Sequence, residues 1–272
     1  TSVVVNGTPN IPLTPNPKPS DTEAKVFTTT SNGAYALTQT TANVTTGDNM
    51  APTTLLVDPT KRYQTIDGFG FAITYSTCYN LLKMSAADRE TLLKRTYSPT
   101  EGYGVSYARI SIGCNDFSSR EYTLCDKEGL DNFALQSDET DYVIPVLKEI
   151  LAINPDIKVI AAPWTCPRWM KVEDIKSLKP HNEWTDGHVN PNMYDTYAQY
   201  FVKFVKAMKQ NGINIYAVSP QNEPLNKQNC ASTYIPWKEE AELVKSMAKA
   251  FKTSGLTTQI YVYDHNYDYS NI

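Results

Sequence analysis

No apolar run in the 272 residues approaches the roughly 20 needed to cross a bilayer. Lys and Arg form no basic stripe, and a net charge of −4 makes nucleic acid a poor partner. Histidine is scarce. His181, His188 and His265 come with neither an HExxH pattern nor a Cys/His cluster, which argues against a metal centre. The five cysteines (Cys78, Cys114, Cys125, Cys166, Cys230) lack CxxC spacing, and an odd count cannot close a complete disulfide framework. Buried free thiols are expected, and cysteine usage leaves the compartment open. Gly68-Phe69-Gly70 has no third glycine opening a helix, so it is no dinucleotide fingerprint, and no cofactor is expected. What remains is an ordinary globular composition, long enough for a barrel-sized core.

Residues 1–22 read as a Pro-rich linker, with Pro9, Pro12, Pro15, Pro17 and Pro19 among small polar residues that cannot pack a core. The N-terminus shows no signal-peptide pattern. Residues 23–62 read as strands of a small β module. Lys25–Thr30 and Ala34–Thr40 flank the hairpin signal Ser31-Asn32-Gly33, and Thr53–Val57 is a further strand.

From residue 63 to 272 the pattern is five strands alternating strictly with four helices. The strands are Gln64–Thr74, Val105–Gly113, Lys158–Ala162, the run beginning at Ile213, and Gln259–Tyr263. The helices begin at Ser85, which makes a capping box with Asp88, at Tyr142 with Pro145 near its start, at Pro191 with Asn190 as cap, and at Pro236. Strict alternation predicts a parallel α/β sheet. Asp116, Trp164, Glu223 and Asp264 each follow the C-terminal end of a strand, and that convergence fits a (β/α)8 TIM barrel better than an open sheet.

The stretch Ile213–Pro224 organises the rest. It alternates as a short strand and then turns polar, so that Asn222 and Glu223 sit just past a strand end, closed by Pro224. Taken alone, Asn-Glu-Pro is a weak motif, and a loop Glu bonded to backbone amides is the bland reading. For Trp164 the bland reading is core packing and for Asp116 a turn cap; His265 is a candidate substrate-binding residue bordering the site from the fifth strand, with a satisfied loop histidine as its bland reading. Arg109 lies within a strand, where an unpaired charge is costly, so it is expected to orient a carboxylate such as Glu223, with a purely structural ion pair as the bland reading.

The motifs Gly68-Phe69-Gly70, Arg109 with Asn115-Asp116-Phe117, the run Ala162–Trp169, Ser177-Leu178-Lys179 and Asn222-Glu223-Pro224 occur in that order. Together they resemble glycoside hydrolase family 30, the family of glucosylceramidases and β-1,6-glucanases, from about Val26 to Ile272. The resemblance implies a TIM barrel joined to a β-sandwich, and retaining hydrolysis of β-glycosides by two carboxylates. By motif match, Glu223 is the acid/base, Asn222 binds the sugar 2-hydroxyl, and Asp116 and Trp164 hold the sugar. The nucleophile it implies lies at the end of strand seven, so the rest of the barrel is expected beyond residue 272.

One departure is Tyr75, which follows Thr74 where relatives often carry Asp. It weighs against a glucosylceramide-type site. With eighteen tyrosines, the expectation is a polymeric substrate, first an endo-cleaved β-1,6-glucan. An exo-acting glucosidase or glucosylceramidase, a xylanase-like relative, and a non-catalytic glycan-binding protein or inactive fragment stay open. Such a substrate and the Pro-rich leader suggest an extracellular, periplasmic or cell-surface location.

Overall fold

A computed structural model describes residues 23–44, 55, 58 and 60–267. The predicted linker and nearly all of the Thr53–Val57 strand lie outside those residues. The chain divides into two compact units, Thr1–Asp67 with Pro99–Gly104, and Gly68–Ser98 with Val105–Ile272.

In the first unit, β1 (Glu23–Thr28) pairs antiparallel with β2 (Thr38–Asn43). The hairpin is where the sequence predicts it, but β2 starts four residues late. Asn32 explains the delay. Its side chain takes the hydroxyl of Thr30 and the amide of Ala34, and Gly33 adopts φ +70°, so 29–37 forms a wide loop. Among the described residues, this pair is what exists of the expected β-sandwich.

The second unit is built on a parallel sheet of β3 (Gly70–Ala72), β4 (Tyr107–Ser111), β5 (Lys158–Ala162), β8 (Ile215–Val218) and β9 (Gln259–Ile260), in that spatial order. These are the first five strands of a barrel, laid side by side and not closed. β6 (Lys171–Val172) and β7 (His188–Val189) form a separate antiparallel pair, which orders much of the long polar loop after β5.

Alternation is not strict. Two helices, α1 (Tyr75–Lys83) and α2 (Ala86–Tyr97), separate β3 from β4. No element is expected from the sequence between Thr74 and Ser85, and α1 forms there although Tyr75, Thr77 and Tyr79 have strand propensities. Thr74 overrides them by accepting the amide of Thr77 at 3.2 Å as an N-cap. The cap ends the predicted strand 64–74 early, and its first part, 64–69, forms no strand, so β3 keeps three residues. Gly70 sits so close to β4 that an added Cβ would lie 2.3 Å from the Tyr107 carbonyl oxygen, so only glycine fits there.

The other helices follow the sequence closely. Ser85 caps α2 as predicted, its Oγ accepting from Asp88 N, but the Asp88 carboxylate accepts from the Ser85 hydroxyl, so of the predicted capping box these bonds supply the forward half. Pro145 sits in the first turn of α3 (Ile144–Ile153). Asn190 caps a short 3-10 turn leading into α4 (Tyr194–Gln210), and α5 (Trp237–Thr253) follows Pro236.

Period-two alternation gives the sheet two different faces. Ala108, Ile110, Val159, Ala161, Ile215 and Ala217 are buried and pack under the helices. The stripe of α4 covers them with Tyr197, Phe201, Phe204, Val205 and Met208, all buried, each large side chain contributing roughly 1.5–3 kcal/mol. On the inner face, Lys158 Nζ lies 5.3 Å and 4.7 Å from the ring centroids of Tyr107 and Tyr216, a side-chain layer of the barrel interior. Four cysteines are buried thiols as expected, whereas Cys230 is exposed. No helix among the described residues is long and apolar enough to cross a membrane.

Candidate active site

β8 delivers its C-terminal segment into a seat between two neighbours. Ser219 N donates to Ala161 O at 2.8 Å and Asn222 N to Pro163 O at 2.8 Å, which extends the pairing with β5 past the strand. Glu223 N then turns to the other side and donates to Asp264 O at 2.9 Å. Fully buried Gln221 locks the turn, its amide donating to Trp164 O (2.6 Å) and Asn222 O (2.9 Å). Glu223 itself has φ +45°, a left-handed conformation that costs a non-glycine residue about 1 kcal/mol or more. Such strain persists where surrounding bonds enforce it, and here both flanking peptides are pinned.

The side chains predicted from sequence converge. Arg109, Asp116, Trp164, Asn222, Glu223 and His265 line one open cleft of about 370 Å³, together with Asn229, Asp264 and Asn266. Arg109 rises from the inner face of β4, 5.0 Å from the Trp164 ring centroid. Its expected carboxylate partner was Glu223, and the structure corrects this. Nη2 donates to Asp264 Oδ2 at 2.5 Å and to Asn222 Oδ1 at 2.9 Å. Glu223 is engaged elsewhere, with Oε2 accepting from Asn226 Nδ2 at 2.9 Å and Asn229 Nδ2 at 2.7 Å. With its oxygen committed to Arg109, Asn222 keeps its NH₂ as donor.

The bland readings resolve residue by residue. The turn after β4 is capped by buried Asn115, whose Oδ1 accepts from Phe117 N at 2.7 Å. Asp116 is thereby spared for the cleft. Trp164 is 7 % exposed, so it packs and lines the cleft at once, and its indole N–H meets no acceptor among the described residues. His265 is a structured loop histidine as well as a cleft residue: its Nδ1 accepts from Asn266 N at 2.7 Å, and its ring stacks on Tyr263.

Three groups at the site escaped the sequence reading. Asn226 and Asn229 follow Glu223 in a polar loop with no periodicity to mark them. Glu240 lies on the buried side of α5, where it accepts from Tyr263 N at 3.0 Å and holds that residue at φ +53° just before Asp264. Burial raises the Glu240 carboxyl above its ordinary range. A carboxylate deep on a helix face was the available signal.

Residues 66–246 match the glycosyl hydrolase family 30 TIM-barrel domain. The chain belongs to glycosyl hydrolase family 30. An endo-1,6-β-D-glucanase of Trichoderma harzianum is 32 % identical over 276 residues, covering 95 % of this chain and 56 % of that protein. The lysosomal acid glucosylceramidase of Mus musculus is 34 % identical over 174 residues, 62 % of this chain and 33 % of that one. A solved endo-β1,6-glucanase is 54 % identical and superposes with a TM-score of 0.81 over 91 % of this chain and 54 % of its own. This family 30 chain spans about half the length of the curated relatives it matches.

Proposed function

We propose that this family 30 chain carries the acid/base half of a retaining β-glycoside hydrolase whose substrate is a β-1,6-linked glucan cut internally. The observation that carries the reading is the placement of Glu223 and Asn222 beside Asp116 and Trp164 in one cleft at the C-terminal ends of the strands. In this reading Glu223 protonates the leaving glycosidic oxygen, and the free NH₂ of Asn222 donates to the sugar 2-hydroxyl as charge develops at the anomeric carbon. Asp116 accepts from ring hydroxyls, while Trp164 offers an apolar face and one unused donor. Asp264 is committed to Arg109, so the attacking carboxylate is assigned to none of the described residues; the family resemblance puts it at the end of strand seven.

The choice of β-1,6-glucan rests on the 54 % identity to a solved endo-β1,6-glucanase. Glucosylceramidases among the relatives, at 28–34 % identity, support an exo-acting alternative. A polymer substrate fits a protein exported from the cell.

The test is hydrolysis of a linear β-1,6-glucan and of glucosylceramide by the full-length protein, with products sized. Oligosaccharides from the glucan, lost in Glu223→Gln, support the reading. Release of glucose alone, or hydrolysis confined to glucosylceramide, moves it to the exo alternative. Unchanged activity in Glu223→Gln sinks the mechanism.

A further inference from the structure

Two amides converge on one oxygen of Glu223. Asn226 Nδ2 and Asn229 Nδ2 both reach Oε2, at 2.9 and 2.7 Å, while no hydrogen bond reaches Oε1 among the described residues. The orientation of Asn226 is fixed independently. Its Oδ1 accepts from Gln228 N at 2.9 Å, and its backbone N donates to Glu223 O at 2.8 Å, so its NH₂ must face the carboxylate. Asn229 lines the cleft itself. A carboxylate oxygen offers two lone-pair sites, and on Oε2 both are taken by N–H donors.

We infer that Asn226 and Asn229 are positioning residues that reserve Oε1 of Glu223 as the proton-carrying oxygen of the reaction. This rests on the acid/base role proposed for Glu223. A proton on Oε2 would have to displace an amide, whereas one on Oε1 meets no competitor. In the cleavage step the proton passes from Oε1 to the glycosidic oxygen. The bond between that oxygen and the anomeric carbon breaks, and its electron pair goes to the oxygen. Glu223 is left as a carboxylate, and the two N–H bonds to Oε2 become charge-assisted and stronger as that charge grows. Their contribution is therefore larger in the transition state than in the ground state.

A mere loop brace would act differently, and leaving-group dependence separates the two. Departure of dinitrophenolate needs little proton transfer, whereas departure of phenolate needs a great deal. The probes are the dinitrophenyl and phenyl β-glycosides of a β-1,6-linked glucose disaccharide, hydrolysed by the full-length protein. For Asn229→Ala and Asn226→Ala, kcat/KM on the phenyl substrate is expected to fall on the order of 10²-fold, against less than about threefold on the dinitrophenyl one. Asn229→Gln, which keeps a donor, is expected to recover part of the phenyl activity.

Equal losses on both substrates, or no loss on either, overturn the positioning role while the glycosidase reading stands. If wild-type protein hydrolyses neither these probes nor β-glucan nor glucosylceramide, the glycosidase reading fails and this one with it. Should an alanine variant melt early, Asn229→Leu fills the same volume without a donor and is held to the same two-substrate comparison.

Discussion

Arg109 and Asp264 meet across the inner face of the sheet, Nη2 to Oδ2 at 2.5 Å, and the same nitrogen reaches Asn222 Oδ1 at 2.9 Å. One guanidinium nitrogen thus ties the top of β9 to the segment that follows β8. Both side chains are partly exposed, 23 % and 33 %, so the ion pair itself contributes on the order of 1 kcal/mol or less. Its larger effect is orientation, because it fixes which way the Asn222 amide faces.

Asp264→Asn should therefore shift the urea midpoint little, by about 1 kcal/mol or less in stability. Arg109→Lys replaces a rigid planar guanidinium, whose Nη2 carries both bonds, by an ammonium on a flexible stem that does not fix the directions of its N–H groups. Turnover of β-glucan by this variant should drop at least about tenfold, with stability lowered by roughly 1 kcal/mol. Full turnover with a lysine at 109 would show that the Asn222 amide is oriented by something else.

The left-handed backbone at Glu223 gives a second, opposite-signed expectation. Glu223→Ala and Glu223→Gly both lose the bonds to Asn226 and Asn229, so their difference isolates the backbone. Elsewhere alanine is the more stable of such a pair. Here φ is +45°, and glycine should be the more stable by about 1 kcal/mol in denaturant titrations. Alanine equal to or above glycine would mean that the turn relaxes once the carboxylate is gone.

The parts of this site legible in sequence are those where a chemical type and a strand end coincide. β5 falls on the predicted Lys158–Ala162 because a short apolar run, Val159-Ile160-Ala161-Ala162, lies between Pro155-Asp156 and Pro163. Six side chains picked from strand ends and motif order line the same cleft. Local propensity failed at α1, where one threonine cap outweighs three strand-forming residues. That Arg109 orients a carboxylate is legible from its place in a strand, but the carboxylate is Asp264 and not Glu223, because sequence order cannot say which of two distant carboxylates a guanidinium will face. Asn226 and Asn229 carry no periodicity, and only the folded loop brings their amides to Glu223.

Acidity should affect stability through Glu139, a buried carboxyl that does not line the cleft. It is 4 % exposed, accepts from Tyr122 Oη at 2.6 Å and Gln136 N at 2.9 Å, and burial pushes its carboxyl up to about 7. The unfolded chain releases this proton near the ordinary 4.5. Between those values the native state binds more protons than the unfolded state, so stability falls as pH rises through that window. The loss from Glu139 is about 3 kcal/mol across it. Glu139→Gln should flatten the stability curve between pH 4.5 and 7, read by urea titration at several pH values. An unchanged slope in that variant would put the pH dependence on other groups.

Lys171 is the counterpart of opposite sign, and it bears on the cleft. It is 2 % exposed, and its Nζ donates to the carbonyl oxygens of Glu183, Trp184 and Ser232 at 3.2, 3.3 and 2.7 Å. Burial lowers its ammonium from the ordinary 10.5 to about 8. The three carbonyls belong to two loops, the one after β5 and the one that carries Asn226 and Asn229. Further bonds join these loops, Ser232 N to Trp184 O at 2.9 Å and Tyr234 N to Gly187 O at 2.8 Å. Lys171→Met keeps the apolar stem but takes the ammonium from the Glu183 and Ser232 carbonyls, while Trp184 O keeps the Ser232 amide, at a cost of roughly 1–3 kcal/mol. Because the native state loses its proton first, wild-type stability should rise from pH 8 towards 10.5, and that rise should vanish in the methionine variant. The slackened loop should also weaken the Asn229 bond to Glu223, lowering turnover of phenyl glycosides more than of dinitrophenyl ones. A variant with wild-type melting and the same alkaline rise would mean that the ammonium is not what joins the two loops.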